Sequence, residues 1–164
     1  MSLVSFPIPA PVWRMALVLL LSLRTLVPAA AATPPQLPEI TSLPLELQHS
    51  AAIGQPLLVM VSLEQCPHCV IVRKHHLLPL LRQGVPVRQV SMRVQRPLLA
   101  LDGSSLTQDE LVRRWKVKVA PTLLFLGPDG RELVERLEGA SLPDFYGAYL
   151  EDRLQRARQV LPGR

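Results

Sequence analysis

The sequence predicts an α/β three-layer sandwich in which a mixed four-stranded sheet is flanked by helices. Apolar, valine-rich runs that are typical of strands alternate with helical patterns, in the order α-β-α-β-α-β-β-α. The last two strands are separated by Gly127-Pro-Asp-Gly130, a turn sequence that favours an antiparallel hairpin. Neither an internal repeat nor a second domain is visible in the 164 residues.

The first half of this pattern contains two helices and two strands. Helices are predicted over 44–52 and 69–78, and strands over 57–62 and 85–94. The run 57–62 is apolar in its first five residues and ends in Ser62, a pattern that indicates a strand buried on both faces. Gly54 ends the first helix, Pro79 kinks or restarts the second, and Gly84 closes it.

The second half begins with a long loop and ends in an amphipathic helix. A loop is predicted over 95–105, a helix through 115, strands over 122–126 and 131–137, and a helix over 141–160. Thr107 and Glu110 form a capping box that opens the first of these helices. Phe145, Tyr149 and Leu154 are the predicted inward face of the last one.

The first 32 residues have the features of a secretory signal peptide. Arg14 precedes a short apolar run over 15–23, and the small residues Ala30 and Ala32 form an A-x-A site after it. We therefore predict a signal peptide over 1–32 that is cleaved on export to the periplasm. The remaining chain is divided into a Pro-rich leader over 33–43 and a single domain over 44–164.

A membrane anchor is the alternative interpretation of the same segment. A spanning helix needs about 20 apolar residues, and Arg24 interrupts the apolar run before that length is reached. We therefore expect no stable membrane insertion after cleavage.

The charge of the remaining chain is only mildly positive. Residues 33–164 carry 16 basic and 13 acidic side chains, a net charge of +3. Because no basic run is interleaved with aromatic residues, nucleic acid is not a predicted partner. We expect a monomer.

Cys66 and Cys69 are the only two cysteines, and they form a C-x-x-C pair. Two thiols at this spacing can close a disulfide within one helical turn and open it again by exchange. Paired cysteines in exported proteins usually form structural disulfides. Here, however, the two-residue spacer closes too small a loop to restrain the unfolded chain much. The spacing therefore favours a catalytic pair, which needs no bound cofactor.

The predicted position of the pair suggests a different role for each thiol. Cys66 is expected at the N-terminus of the helix that follows the first strand, where free N–H groups and the helix dipole stabilise a thiolate. Cys69 lies one turn further and is expected to be the buried, resolving thiol. His68 adds a positive charge or an N–H donor, which favours the reduced form and makes the protein a better oxidant.

Half of a metal site is the alternative interpretation of the pair. A structural zinc needs four ligands, and only histidines are left to join the two cysteines. His75 and His76 lie about two turns further along the same helix, so the chain must bend for either to reach. We therefore predict no metal ligand, and a copper- or zinc-handling binding protein is the second candidate function.

A second motif lies about 52 residues after the pair. The stretch from Trp115 to Thr122 reads WKVKVAPT and continues as LLFLGPDG. With the preceding C-x-x-C, it resembles the second half of the thioredoxin superfamily, and the resemblance covers residues 38–160. Small exported bacterial thioredoxin-like proteins are the most similar.

This resemblance implies a thioredoxin-like fold and a thiol–disulfide oxidoreductase. Such a protein acts on protein thiols and disulfides and exchanges electrons with a redox partner, here unidentified. The resemblance also implies a cis peptide at Ala120–Pro121 facing the cysteines, where the backbone binds the substrate chain. A trans proline that starts a strand is the alternative at Pro121, and the cysteine pair favours the cis form.

The chain departs from thioredoxins proper at four positions. Gln65 replaces a tryptophan, Pro67-His68 replaces Gly-Pro, and Met60 replaces a buried acid. The Pro-His dipeptide resembles that of DsbA-type oxidases, but the gap over 95–120 is too short for their inserted helical domain. The chain therefore joins an oxidase-like dipeptide to a thioredoxin-sized body.

Overall fold

A computed structural model of the protein describes residues 36–140 and 143–162. The predicted signal peptide over 1–32 lies outside the described residues. No helix within the described ranges is long and apolar enough to cross a membrane.

The described chain contains six strands and five α-helices. The strands are β1 Leu57–Ser62, β2 Val87–Ser91, β3 Pro97–Leu99, β4 Ser105–Thr107, β5 Thr122–Leu126 and β6 Leu137–Glu138. The helices are α1 Leu43–Ala52, α2 Pro67–Val72, α3 Leu78–Arg82, α4 Gln108–Arg114 and α5 Pro143–Gln159. A π-helical turn, Arg73–Leu77, joins α2 to α3.

The central sheet has the strand order β2-β1-β5-β6. β1 runs parallel to β2 and antiparallel to β5, so the sheet is mixed. All six residues of β1 are buried, as the apolar run predicted. The predicted mixed four-stranded sheet is confirmed.

The two faces of the sheet pack against different helices. On one face, Leu58 and Met60 join an apolar cluster with residues of α2, α3 and α5. On the other face, Val59 and Val61 join a second cluster with residues of α1 and α4. Side chains alternate between these faces along β1, as strand geometry requires. The fold is therefore the predicted three-layer sandwich, with helices on both sides of the sheet.

Part of the predicted Pro-rich leader lies against the free edge of β2. The backbone N–H of Ile40 donates to the Gln89 carbonyl at 3.1 Å, and Gln89 N–H donates to the Pro38 carbonyl at 2.9 Å. Glu39 forms the parallel bridge to Gln89 between these two bonds. The segment covers a strand edge that would otherwise present unpaired backbone groups.

The second helical region is continuous from 67 to 82 but changes type in its middle. Leu78 N–H donates to the carbonyl of Arg73, five residues earlier, which defines the π turn. Pro79 follows directly and has no N–H with which to continue the ladder. Pro79 was predicted to kink or restart the helix. The structure has a π turn directly before Leu78 and Pro79, which inserts one extra residue into the helix.

Two predictions for the second half of the chain are corrected. The predicted loop over 95–105 contains most of a small antiparallel hairpin, β3–β4, in which Leu98 and Leu106 are buried partners. The predicted strand over 131–137 is reduced to β6 and an isolated bridge between Leu126 and Glu132. Whether a short segment forms a strand depends on the segments that pack against it. The sequence pattern of the strand alone does not contain this information.

The predicted inward face of the last helix was also wrong in part. Phe145 and Tyr149 are 61% and 47% exposed, whereas Leu154 is buried as predicted. The inward stripe is Tyr146, Leu150 and Leu154, spaced by four residues. The two exposed aromatics precede this stripe by one position, which rotates them about 100° around the helix.

Candidate active site

Cys66 is the N-cap residue of α2. Its backbone is extended, with φ −96° and ψ 104°, and Pro67 occupies the first turn of the helix. The N–H of Cys69 donates to Cys66 Sγ at 3.1 Å. This donor is one of the N–H groups that have no partner within the helix, so it is available to a sulfur that becomes negatively charged.

The two cysteines form a disulfide and differ in exposure. Their Cα atoms are 5.2 Å apart. Cys66 is half-buried, whereas Cys69 is 1% exposed and belongs to the apolar cluster under α2. A thiolate arriving from solvent therefore reaches the Cys66 sulfur and not that of Cys69.

The loop before β5 lies against the same sulfur. The Ala120–Pro121 peptide bond is cis, and the Ala120 carbonyl oxygen is 4.0 Å from Cys66 Sγ. Thr122 Oγ1 donates to the Val119 carbonyl at 2.8 Å, and Gly139 N–H donates to the Pro121 carbonyl at 2.8 Å. These two bonds fix the backbone on both sides of the position that faces the disulfide.

His68 occupies the second position of α2 and is exposed. It lies in the same helical turn as Cys66. Three of the five predicted site residues, Cys66, His68 and Cys69, therefore lie at the start of α2, and the other two, Ala120 and buried Pro121, lie in the loop before β5.

A buried polar cluster beneath the active-site helix was missed by sequence reasoning. Arg73 Nε donates to Gln89 Oε1 at 2.9 Å, and Arg73 NH2 donates to Ser62 Oγ at 3.1 Å. Met60, which replaces the buried acid of thioredoxins, is fully buried on the same face of the sheet. The available signal was the presence of polar Ser62 and Gln89 in otherwise apolar strands.

The histidines of the alternative metal site lie in different surroundings. The His76 ring packs against Tyr146 of α5, with ring centroids 5.1 Å apart. Burial and the neighbouring charge of His75 lower the pKa of His76, while His75 itself is exposed. Within the described residues, no group of three or more His, Cys, Asp or Glu side chains is placed to hold a metal ion.

A comparison with protein-family models identifies the family of the chain. The family model described as "Thioredoxin-like domain" matches residues 43–154. No curated protein sequence matches the chain.

Several solved structures are similar at low identity. A thioredoxin h from poplar is 17% identical over 70% of this chain and 96% of that chain, with a TM-score of 0.46. The periplasmic thioredoxin SoxS from Paracoccus pantotrophus is 22% identical over 63% and 99%, with a TM-score of 0.43. A thioredoxin from Thermus thermophilus is 25% identical over 73% and 87%, with a TM-score of 0.46.

Proposed function

Because the chain belongs to the thioredoxin-like domain family, we propose that it is an exported thiol–disulfide oxidoreductase that exchanges disulfides with protein substrates. One observation carries this proposal. The Cys66–Cys69 disulfide lies at the N-terminus of α2, with Cys66 half-buried and Cys69 buried. A structural disulfide gains nothing from this asymmetry, whereas disulfide exchange requires one accessible sulfur and one protected leaving group.

In the oxidising direction, a substrate thiolate attacks Cys66 Sγ. A bond forms between the substrate sulfur and Cys66, the Cys66–Cys69 bond breaks, and Cys69 leaves as a thiolate that takes up a proton. A second substrate thiolate then attacks the substrate sulfur of the mixed disulfide and releases Cys66 as a thiolate. The substrate loses two electrons and the cysteine pair gains them. A separate redox partner restores the disulfide, and the same steps in reverse reduce a substrate disulfide.

The Cys66 thiolate is the species that this fold stabilises. The Cys69 N–H, already 3.1 Å from the sulfur in the disulfide, donates to it more strongly once it is charged. The helix dipole acts in the same direction. His68 supplies a third favourable contribution from the exposed side of the first turn. Stabilising the thiolate favours the reduced pair, so it makes the disulfide more oxidising.

Ala120 and Pro121 are the proposed substrate-binding positions. The two hydrogen bonds around this loop fix its backbone next to Cys66. An extended substrate segment can then lie along it as an added strand, with its own cysteine facing Cys66. The proposal needs no cofactor, because the cysteine pair is the redox group, and it treats the protein as a monomer.

Catalysis of disulfide exchange tests the proposed function directly. We expect the purified protein to accelerate the reduction of insulin by dithiothreitol and to oxidise a reduced, unfolded protein when an oxidant is supplied. The double variant Cys66→Ser/Cys69→Ser is the matched control, since it lacks both sulfurs and keeps the side-chain size. Equal rates for wild type and control in both assays would contradict the proposal.

Export is a separate part of the proposal. We expect the mature protein to begin at Thr33, because the A-x-A site ends at Ala32. N-terminal sequencing of the protein from the periplasmic fraction measures this. Recovery of the full-length chain in the membrane fraction would show that 1–32 anchors the protein instead.

A further inference from the structure

Among the described residues, the acceptors that hold the buried Arg73 guanidinium are neutral. Arg73 is 7% exposed, and its guanidinium donates to the hydroxyl of Ser62 and the amide oxygen of Gln89. An arginine is almost never fully buried unless it is paired with an opposite charge. Burial lowers the pKa of Arg73, but an arginine in a protein stays protonated.

The described residues supply no counter-ion to this charge. None of their carboxylates lies within ion-pair distance of Arg73. Glu39, whose backbone pairs with Gln89, is engaged instead by Arg96 and by the side-chain amide of Gln108. The positive charge of Arg73 is therefore uncompensated in the described part of the fold.

The residue that carries this charge lies one helical turn after Cys69. The backbone N–H of Arg73 donates to the Cys69 carbonyl, so Arg73 follows Cys69 by one helical turn. Ser62, which anchors the guanidinium, is the last residue of β1, the strand that leads into Cys66. The guanidinium is thus fixed between the strand before the disulfide and the helix that carries it. In a buried environment, a charge acts over a longer distance than it does in water.

The sheet side chains beside this guanidinium are all neutral. Met60 is apolar, and its neighbour across the parallel strands is Gln89, which binds Arg73. A buried carboxylate disfavours a nearby thiolate, whereas a buried guanidinium favours one. The Arg73 guanidinium on this face therefore favours a thiolate at the cysteines.

We propose that Arg73 is a positioning residue for redox poise: its buried charge, oriented by Ser62 and Gln89, stabilises the reduced cysteine pair and makes the disulfide a stronger oxidant. This inference rests on the proposed function. Arg73 contacts neither sulfur nor substrate, so it sets the equilibrium of the exchange and takes no part in bond formation.

Titration of the full purified protein against glutathione tests this inference. We expect Arg73→Met to shift the thiol–disulfide equilibrium about tenfold toward the disulfide, because loss of the charge destabilises only the thiolate state. The same variant should raise the pKa of Cys66, followed by thiolate absorbance. Arg73→Lys should restore most of the wild-type equilibrium. Lys74→Met is the matched control, since it removes an exposed positive charge from the adjacent position, and it should change the equilibrium less than about twofold.

Gln89→Glu keeps the test decisive if Arg73→Met does not fold. This variant keeps Arg73. It places a carboxylate where the Gln89 amide oxygen now accepts the hydrogen bond from Arg73 Nε. The neutralised charge should shift the equilibrium in the same direction as Arg73→Met. Equal shifts of the equilibrium for Arg73→Met and Arg73→Lys would overturn the inference. An unchanged equilibrium in folded Arg73→Met, or in Gln89→Glu, would also overturn it. A wild-type protein that does not exchange with glutathione at all would contradict the proposed function instead, so the two failures are distinguishable.

Discussion

Cys69→Ser is expected to accumulate a stable mixed disulfide with a substrate protein, whereas Cys66→Ser is expected to accumulate none. The reason is the difference in exposure between the two sulfurs. Cys66 is half-buried at the helix start, and Cys69 is 1% exposed within the apolar cluster. Without Cys69, the Cys66 thiolate still attacks a substrate disulfide, but no second thiol resolves the product. Without Cys66, the remaining thiol is enclosed and lacks the helix-start donors that activate a thiolate.

Non-reducing electrophoresis and mass spectrometry of each variant, after incubation with insulin, measure the adduct. We expect at least about a hundredfold less adduct from Cys66→Ser than from Cys69→Ser, because an inert buried cysteine reacts slowly. Both variants lack the disulfide, so loss of that bond does not by itself distinguish them. Comparable adduct from the two variants would show that the sulfurs are equally accessible, and the assigned roles would be wrong.

The centre of the sheet was predictable to the residue. β1 and β5 were both predicted with the boundaries that the structure has, 57–62 and 122–126. Each is a run of apolar residues that ends abruptly at polar or turn residues. In a strand covered on both faces, most positions are apolar, so the local pattern contains most of the signal. The capping box from Thr107 to Glu110 was found for the same reason, since its contacts lie within four residues.

The periphery was less predictable, because its structure is set by contacts between distant segments. The hairpin β3–β4 forms where Leu98 and Leu106 reach the cluster shared with α1 and α4. The inward face of α5 is the one that packs against the sheet and, at Tyr146, against the ring of His76. Aromatic character at Phe145 and Tyr149 was therefore a poor guide, since hydrophobicity alone does not say which stripe of a helix meets the core.

In the candidate site, too, the residues that belong to short motifs were predicted, whereas those joined by long-range contacts were not. Cys66, Cys69 and the Ala120–Pro121 loop were named from short motifs, and the structure places the loop carbonyl 4.0 Å from the Cys66 sulfur. The Arg73 cluster was not foreseen, because it joins residues that are 11 and 16 positions apart. It depends on the parallel register that sets Gln89 beside Met60 and on the helical region that turns Arg73 toward the sheet.

His68→Gly is expected to make the cysteine pair a stronger reductant. His68 is exposed at the second position of α2. We expect its imidazole N–H or imidazolium to stabilise the neighbouring Cys66 thiolate. The disulfide carries no charge, so it gains no such stabilisation. Removal of the imidazole therefore destabilises only the reduced form and lowers the reduction potential. We expect the wild-type potential to lie above the roughly −270 mV of thioredoxin, and the variant to lie about 30 mV or more below wild type, a tenfold change in the equilibrium.

A glutathione redox titration measures the potential, and thiolate absorbance against pH follows the accompanying rise in the pKa of Cys66. His68→Gln is the matched control for backbone effects, because glycine also weakens the helix that carries the cysteines by about 1 kcal/mol. A shift that is shared by the glycine and glutamine variants comes from loss of the imidazole, whereas a shift seen only with glycine comes from the helix. A wild-type potential as low as that of thioredoxin, or unchanged values after replacement of His68, would contradict the prediction. The Pro-His dipeptide would then carry no oxidising character, and the protein would be better described as a reductant that supplies electrons to exported thiols.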